Sequence, residues 1–186
     1  MKPDELVPTP SQTAGPFFHL GCTQHHSVGR LAAPESQGER ISLTCRVYDG
    51  DGAPVNDAMI EIWQANAAGK YNHPDDDQQK PVDPAFSGFG RLATNEDGAC
   101  VFETIKPGRV ADQAPHINVS ILARGLLKRL ATRIYFAGDA ANNNDAVLNL
   151  VAPERRNILL AQSKQPGQWE FDIHLCGGQE TVFFDV

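Results

Sequence analysis

Apolar and polar residues alternate along Ile41-Ser42-Leu43-Thr44-Cys45-Arg46-Val47-Tyr48, the period of two that a half-buried strand shows. Asp49-Gly50-Asp51-Gly52 follows, and Asp-Gly pairs supply the positive φ that tight turns need. The same grammar of short strand and turn continues to the end of the chain. It predicts strands over 58–63, 116–122, 130–136, 169–175 and 181–184. Between them, 91–94 and 99–105 form a hairpin around Asp97-Gly98, closed by Lys106-Pro107-Gly108. One short helix is predicted from 153 to about 161, since Pro153 suits a first helical position and Glu154 favours the first turn.

Residues 1–40 lack this alternation and are rich in Pro, Gly and His; Gly15-Pro16 marks a turn or extended segment there rather than a helix. The pattern therefore predicts a mainly β protein, a single β-sandwich domain over 41–186 carrying an extended N-terminal arm, 1–40. The stretch 71–86, with Asp75-Asp76-Asp77 and three prolines, reads as a long loop, a length that inside compact domains is usually functional or disordered.

Composition narrows the function. At 41% hydrophobic, the 186 residues can bury a core. The balance of 16 basic against 23 acidic residues, net −7, gives no basic face for phosphate binding and argues against nucleic acid as a partner. No apolar run approaches the roughly 20 residues of a membrane span. Residues 1–6 carry no apolar leader, so a cytoplasmic protein is expected. The four cysteines, Cys22, Cys45, Cys100 and Cys176, have no metal-site spacing; reduced thiols are expected, with Cys45 and Cys100 buried in strands as small apolar groups. Trp63 and Trp169 read as core anchors, and His19, His25 and His26 as loop or interface residues without acidic or thiol partners.

Several strings are more specific than turns. Asp51-Gly52-Ala53-Pro54-Val55 is followed by Ile60-Glu61-Ile62-Trp63-Gln64-Ala65-Asn66-Ala67-Ala68-Gly69-Lys70-Tyr71. Thr94-Asn95-Glu96-Asp97-Gly98, Thr104-Ile105-Lys106-Pro107-Gly108, Ala114-Pro115-His116-Ile117 and Thr132-Arg133-Ile134-Tyr135-Phe136 come next. Together they resemble the core of the intradiol ring-cleaving dioxygenases, whose sandwich is of the transthyretin-like type. The resemblance is nearest the members built from alpha and beta chains that act on protocatechuate.

In the iron-bearing beta chains of that group, two tyrosinates and a His-x-His pair hold a ferric ion. Carried over residue by residue, Tyr71 matches the first tyrosine and His116 the first histidine, while Asn118 stands where the second histidine belongs. Only Arg109-Val110-Ala111-Asp112-Gln113-Ala114-Pro115 separates Gly108 from His116, so the second tyrosine has no counterpart. Residues i and i+2 of a strand share a face, which is why His-x-His can serve one metal, and a neutral carboxamide replaces an imidazole poorly.

The resemblance thus implies an alpha-type subunit without catalytic residues or metal of its own. Fe(III) would be carried by a beta-chain partner, and the complex would cleave a small aromatic diol acid with O2. It further implies that Thr13, Gly15, Pro16, Phe17 and Arg133 contribute to the substrate pocket shared with that partner, Arg133 suiting a carboxylate. Three alternatives stay open: a self-sufficient dioxygenase, a rearranged Tyr71/His73/His116/Asp metal cluster, and a non-catalytic transthyretin-like binding module.

Overall fold

The computed structural model describes residues 8–185, without the side chains of residues 16–19. Its strands are β1 (Arg40–Tyr48), β2 (Met59–Gln64), β3 (Phe89–Ala93), β4 (Ala99–Ile105), β5 (His116–Leu122), β6 (Leu130–Phe136), β7 (Leu160–Gln165) and β8 (Gln168–His174). They follow the order β3-β2-β5-β6-β7-β8-β1-β4 in one eight-stranded sheet. Two halves, β3-β2-β5-β6 and β7-β8-β1-β4, are paired strand to strand through the short parallel contact Tyr135↔Leu160 and Phe136↔Ala161. They fold over one core, so the expected mainly β sandwich is the observed class, closed nearly into a barrel.

Alternation places the core residues. Leu43, Cys45 and Val47 of β1, Ile117, Val119 and Ile121 of β5, and Trp169, Phe171 and Ile173 of β8 point inward and are buried. Each such aliphatic or aromatic side chain contributes about 1.5–3 kcal/mol relative to exposure. Cys45 and Cys100 sit opposite each other in register, both buried as free thiols, and burial pushes Cys100 up to about 12. Trp63 departs from its expected core role. Its neighbour Ile62 takes the inward direction, so the period of two turns the indole to the outer face.

The two edge strands do not stay open. Residues 28–33 run between them: Val28 exchanges backbone bonds with Arg91 of β3, Leu31 N donates to Glu103 O of β4, and Glu103 N donates to Gly29 O. This segment of the arm seals the seam and blunts both edges, where unpaired backbone would otherwise recruit other chains. Gly90 makes the closure possible, since a Cβ there would stand 2.9 Å from atoms of Ile62, Leu31 and Phe102.

Three local expectations are corrected. Pro16–Thr23 is an α-helix, α1, because Pro16 at its first position gives up no needed N–H and already has helical φ. Pro153–Leu159 is a 3-10 helix rather than an α-helix, and the chain from Leu160 is strand, since Leu160 and Ala161 are drawn into pairing with β6. Thr181–Phe184 makes only the bridge Ala131↔Phe184 where a strand was expected. The long loop 71–86 is ordered. The Lys70 ammonium is buried beneath it, donating to Asp76 Oδ1 at 3.2 Å, to Gln78 O at 2.8 Å and to Asp76 O.

Candidate functional site

The outer face of β2, β5 and β6 gathers the residues expected from the sequence. His116 and Asn118 lie on one face of β5, opposite Tyr135 and Arg133 of β6, and Trp63 of β2 lies opposite Asn118. Tyr71 enters from the start of the long loop and stacks on Trp63, with ring centroids 5.7 Å apart and planes 17° apart.

Hydrogen bonds close the cluster on itself. Asn118 Nδ2 donates to Trp63 O at 3.3 Å and to the Tyr71 hydroxyl at 3.0 Å, which fixes the amide with its NH2 toward the phenol. His116 Nδ1 lies 2.8 Å from Ala114 O, an acceptor only, so Nδ1 carries the proton and Nε2 is bare. The Tyr71 hydroxyl then donates to His116 Nε2 at 3.3 Å. Burial, seconded by the Arg133 charge, lowers His116 and keeps it neutral; burial raises Tyr71 and keeps it a phenol.

Neither remaining tyrosine supplies a second phenolate. Tyr48 stacks on His174 in the other half of the fold, and Tyr135, held protonated by burial, donates to Asp145 Oδ1 at 3.0 Å. The turn 110–113, closed by Gln113 N to Val110 O at 2.8 Å, carries no side chain that replaces it. A ferric ion here would meet one phenol and one imidazole already bonded to each other, and an amide presenting its donor side. That donor set does not fit ferric iron. Of the rearranged cluster, Tyr71 and His73 share a cavity wall with Asp75, Asp76 and Asp77 while His116 is not part of that wall; His73 Nδ1 accepts from Asp75 N, and among the described residues no group of three or more His, Cys, Asp or Glu could hold a metal.

Two residues that sequence reasoning passed over support the site. Asp145, wholly buried, accepts from Ala114 N at 2.8 Å, Leu148 N at 2.7 Å and Tyr135. Gln113 Oε1 accepts from Arg133 Nη1 at 2.8 Å. Only the placement of Tyr135 two residues after Arg133 hinted at this, since both had to share a strand face.

Thr13 lies elsewhere. Its hydroxyl donates to Ala123 O at 3.3 Å and accepts from Gly125 N at 2.8 Å, fixing the arm to the loop between β5 and β6. Thr13 and Gly15 line a cavity of about 220 Å³ there, and Arg133 is not among its walls. A Cβ on Gly15 would meet nothing within 4 Å. Pro16 and Phe17 begin α1, but their side chains lie outside the described residues.

Asp76 holds the loop that carries Tyr71. Burial alone would raise its carboxyl, but backbone bonds from Tyr71 and Gln78 and side-chain bonds from Gln78 and Lys70 outweigh it and hold the group well below the carboxylate range. Its native pKa thus lies below the unfolded value of about 3.9. The stabilisation is full above that value and is lost as pH falls through the native one. Urea midpoints measured from pH 6 down to pH 3 are expected to fall more steeply for the wild type than for Asp76→Asn; parallel curves would show that this carboxylate does not anchor the loop.

A family profile described as Dioxygenase matches residues 13–113. The protocatechuate 3,4-dioxygenase alpha chain of Burkholderia cepacia is 45% identical over 97% of this chain and 98% of its own length. The beta chain from the same organism is 37% identical over 79% of this chain and 68% of its own. Among solved structures, the dioxygenase domain of a carbohydrate-binding fusion protein from Streptomyces sp. SirexAA-E superposes with a TM-score of 0.63 at 26% identity, covering 92% of this chain and all of that one. With the Trp63–Tyr71 string, the His116 strand and the sandwich all in place, the chain belongs to the intradiol ring-cleaving dioxygenase family.

Proposed function

We propose that this chain is the alpha-type subunit of a protocatechuate 3,4-dioxygenase and works only with an iron-bearing beta-type chain. The observation that carries the reading is the closed Asn118–Tyr71–His116 bond set, in a chain whose near-full length is similar to alpha chains. The site that would hold iron has become a structural hydrogen-bond cluster. Fe(III) then belongs to the beta chain, where it supplies the oxidative chemistry by which O2 opens 3,4-dihydroxybenzoate between its hydroxyl-bearing carbons to 3-carboxy-cis,cis-muconate.

This chain's own part is to shape the pocket and hold the assembly. Thr13, Gly15, Pro16 and Phe17 of the arm, beside the loop between β5 and β6, and Arg133, beside the Tyr71 cluster, are the residues it brings to the pocket shared with that partner. Thr13 anchors the arm through two hydrogen bonds, and the open space at Gly15 leaves backbone free for close approach by a ligand or partner. The division into an interface arm, 1–40, and a dioxygenase body, 41–186, belongs to the same proposal. So does a cytoplasmic location, with neither nucleic acid nor membrane as partner; no helix among the described residues is long and apolar enough to cross a membrane.

Expressing the chain alone and with a beta-type chain tests this directly. Iron content, visible tyrosinate-to-iron absorption and oxygen uptake driven by 3,4-dihydroxybenzoate are the readouts. The lone chain is expected to be colourless and inactive, and the pair coloured and active. Iron-dependent oxygen uptake by the lone chain would overturn the reading and make Tyr71, His73 and His116 the residues to substitute.

A further inference from the structure

We infer that Lys128 and Arg129 form a carboxylate-attracting rim on the cavity beside the N-terminal arm, and so set a preference for carboxylated diols. The inference rests on the subunit reading above, and it assigns a role to two residues that neither the family strings nor the Tyr71 cluster include.

The cavity lies between residues 12–15 and the loop joining β5 to β6, with a volume of about 220 Å³. Its walls on the loop side are Leu122, Ala123, Leu126 and Leu127, and its rim carries Lys128 and Arg129. No carboxylate among the described residues lines it. The two cations make no ion pair or side-chain hydrogen bond among the described residues, whereas Arg124 in the same loop is tied to Asp57. Leu127 stands 60% exposed beside them.

Two cations without an ion-pair partner among the described residues stand over an apolar wall. They repel each other, and an anion placed between them relieves that repulsion. Apolar walls with a cationic rim match a flat hydrophobic ring bearing one carboxylate, and the small volume suits a single ring. Thr13 ties the arm to this same loop, so the rim and the arm residues of the shared pocket are held as one unit. A cleft lined by one sign of charge against apolar walls acts mainly on encounter, raising capture rates by about 10- to 1,000-fold at low salt.

The test uses the assembled alpha–beta complex, with 3,4-dihydroxybenzoate and catechol compared as substrates. Catechol has the same diol and lacks the carboxylate. In the Lys128→Ala/Arg129→Ala complex, kcat/KM for 3,4-dihydroxybenzoate is expected to fall at least about tenfold more than for catechol, mostly through KM. The wild-type advantage is expected to shrink as ionic strength rises from about 0.01 M to about 0.1 M, over which the Debye length falls from ~30 Å to ~10 Å. Equal losses on both substrates, or no loss on either, overturn the inference. Failure of both this variant and Lys128→Gln/Arg129→Gln to assemble would make the cations interface residues, and would overturn it too. A wild-type complex that consumes no oxygen with either diol would instead remove the subunit reading, and this inference with it.

Discussion

Replacing Asp145 with alanine is expected to lower the unfolding free energy by about 3–5 kcal/mol, because a buried donor left without an acceptor costs about 1–3 kcal/mol. Three donors lose their acceptor at once: Ala114 N at 2.8 Å, Leu148 N at 2.7 Å and the Tyr135 hydroxyl at 3.0 Å. All three residues are buried, so water does not readily take the place of the carboxylate. Tyr135→Phe removes one donor and leaves Asp145 with two, so its cost is about 1 kcal/mol. The effect reaches the candidate site, since Ala114 also supplies the carbonyl that holds the His116 ring. Urea unfolding of both variants in the same assembly state decides the matter. An Asp145→Ala midpoint no lower than that of Tyr135→Phe would mean that the three-bond network does not hold this corner.

Gly69→Ala is expected to cost a similar amount, about 3–5 kcal/mol, through clash and backbone strain combined. Gly69 has φ +79, in the left-handed region, and a Cβ there would stand 1.8 Å from Arg109 O. The strand-end turn that begins at Asn66 packs backbone against backbone on the 108–109 segment, with Gly108 N donating to Asn66 O at 2.9 Å. Two residues later the chain delivers Tyr71 onto Trp63. The alanine variant is therefore expected to show both a lower melting temperature and a changed near-UV circular dichroism signal from the Trp63–Tyr71 stack. A variant that keeps both would show that the turn can shift without moving Tyr71.

Legibility in the sequence followed how directly local chemistry expresses itself. Strands 116–122 and 130–136 were readable to the residue, the first because it alternates, the second because its β-branched and aromatic residues run up to the turn at Gly138. The β7 strand was not, because Leu160-Ala161-Gln162-Ser163-Lys164-Gln165 has no apolar alternation and is held by its neighbours. The helix α1 was hidden because Gly15-Pro16 equally begins a turn or a helix, and Pro16 at a first helical position resolves it. Tyr71, His116 and Asn118 were identified by their strings, and their fold neighbours show what they became: a bonded trio in which Asn118 donates where an imidazole would ligate.

The sequence by itself determined the class of fold, the turn positions and the residue types available for chemistry, because strand period, turn conformation and donor type are properties of short segments. Only the tertiary structure decided which segments meet. The seam sealed by residues 28–33, the Asp145 anchor beneath Tyr135, and the loop cations beside Thr13 all join residues far apart in the chain. Such contacts follow from strand order and register, which arise when separate apolar faces close on one core, and no local pattern encodes them.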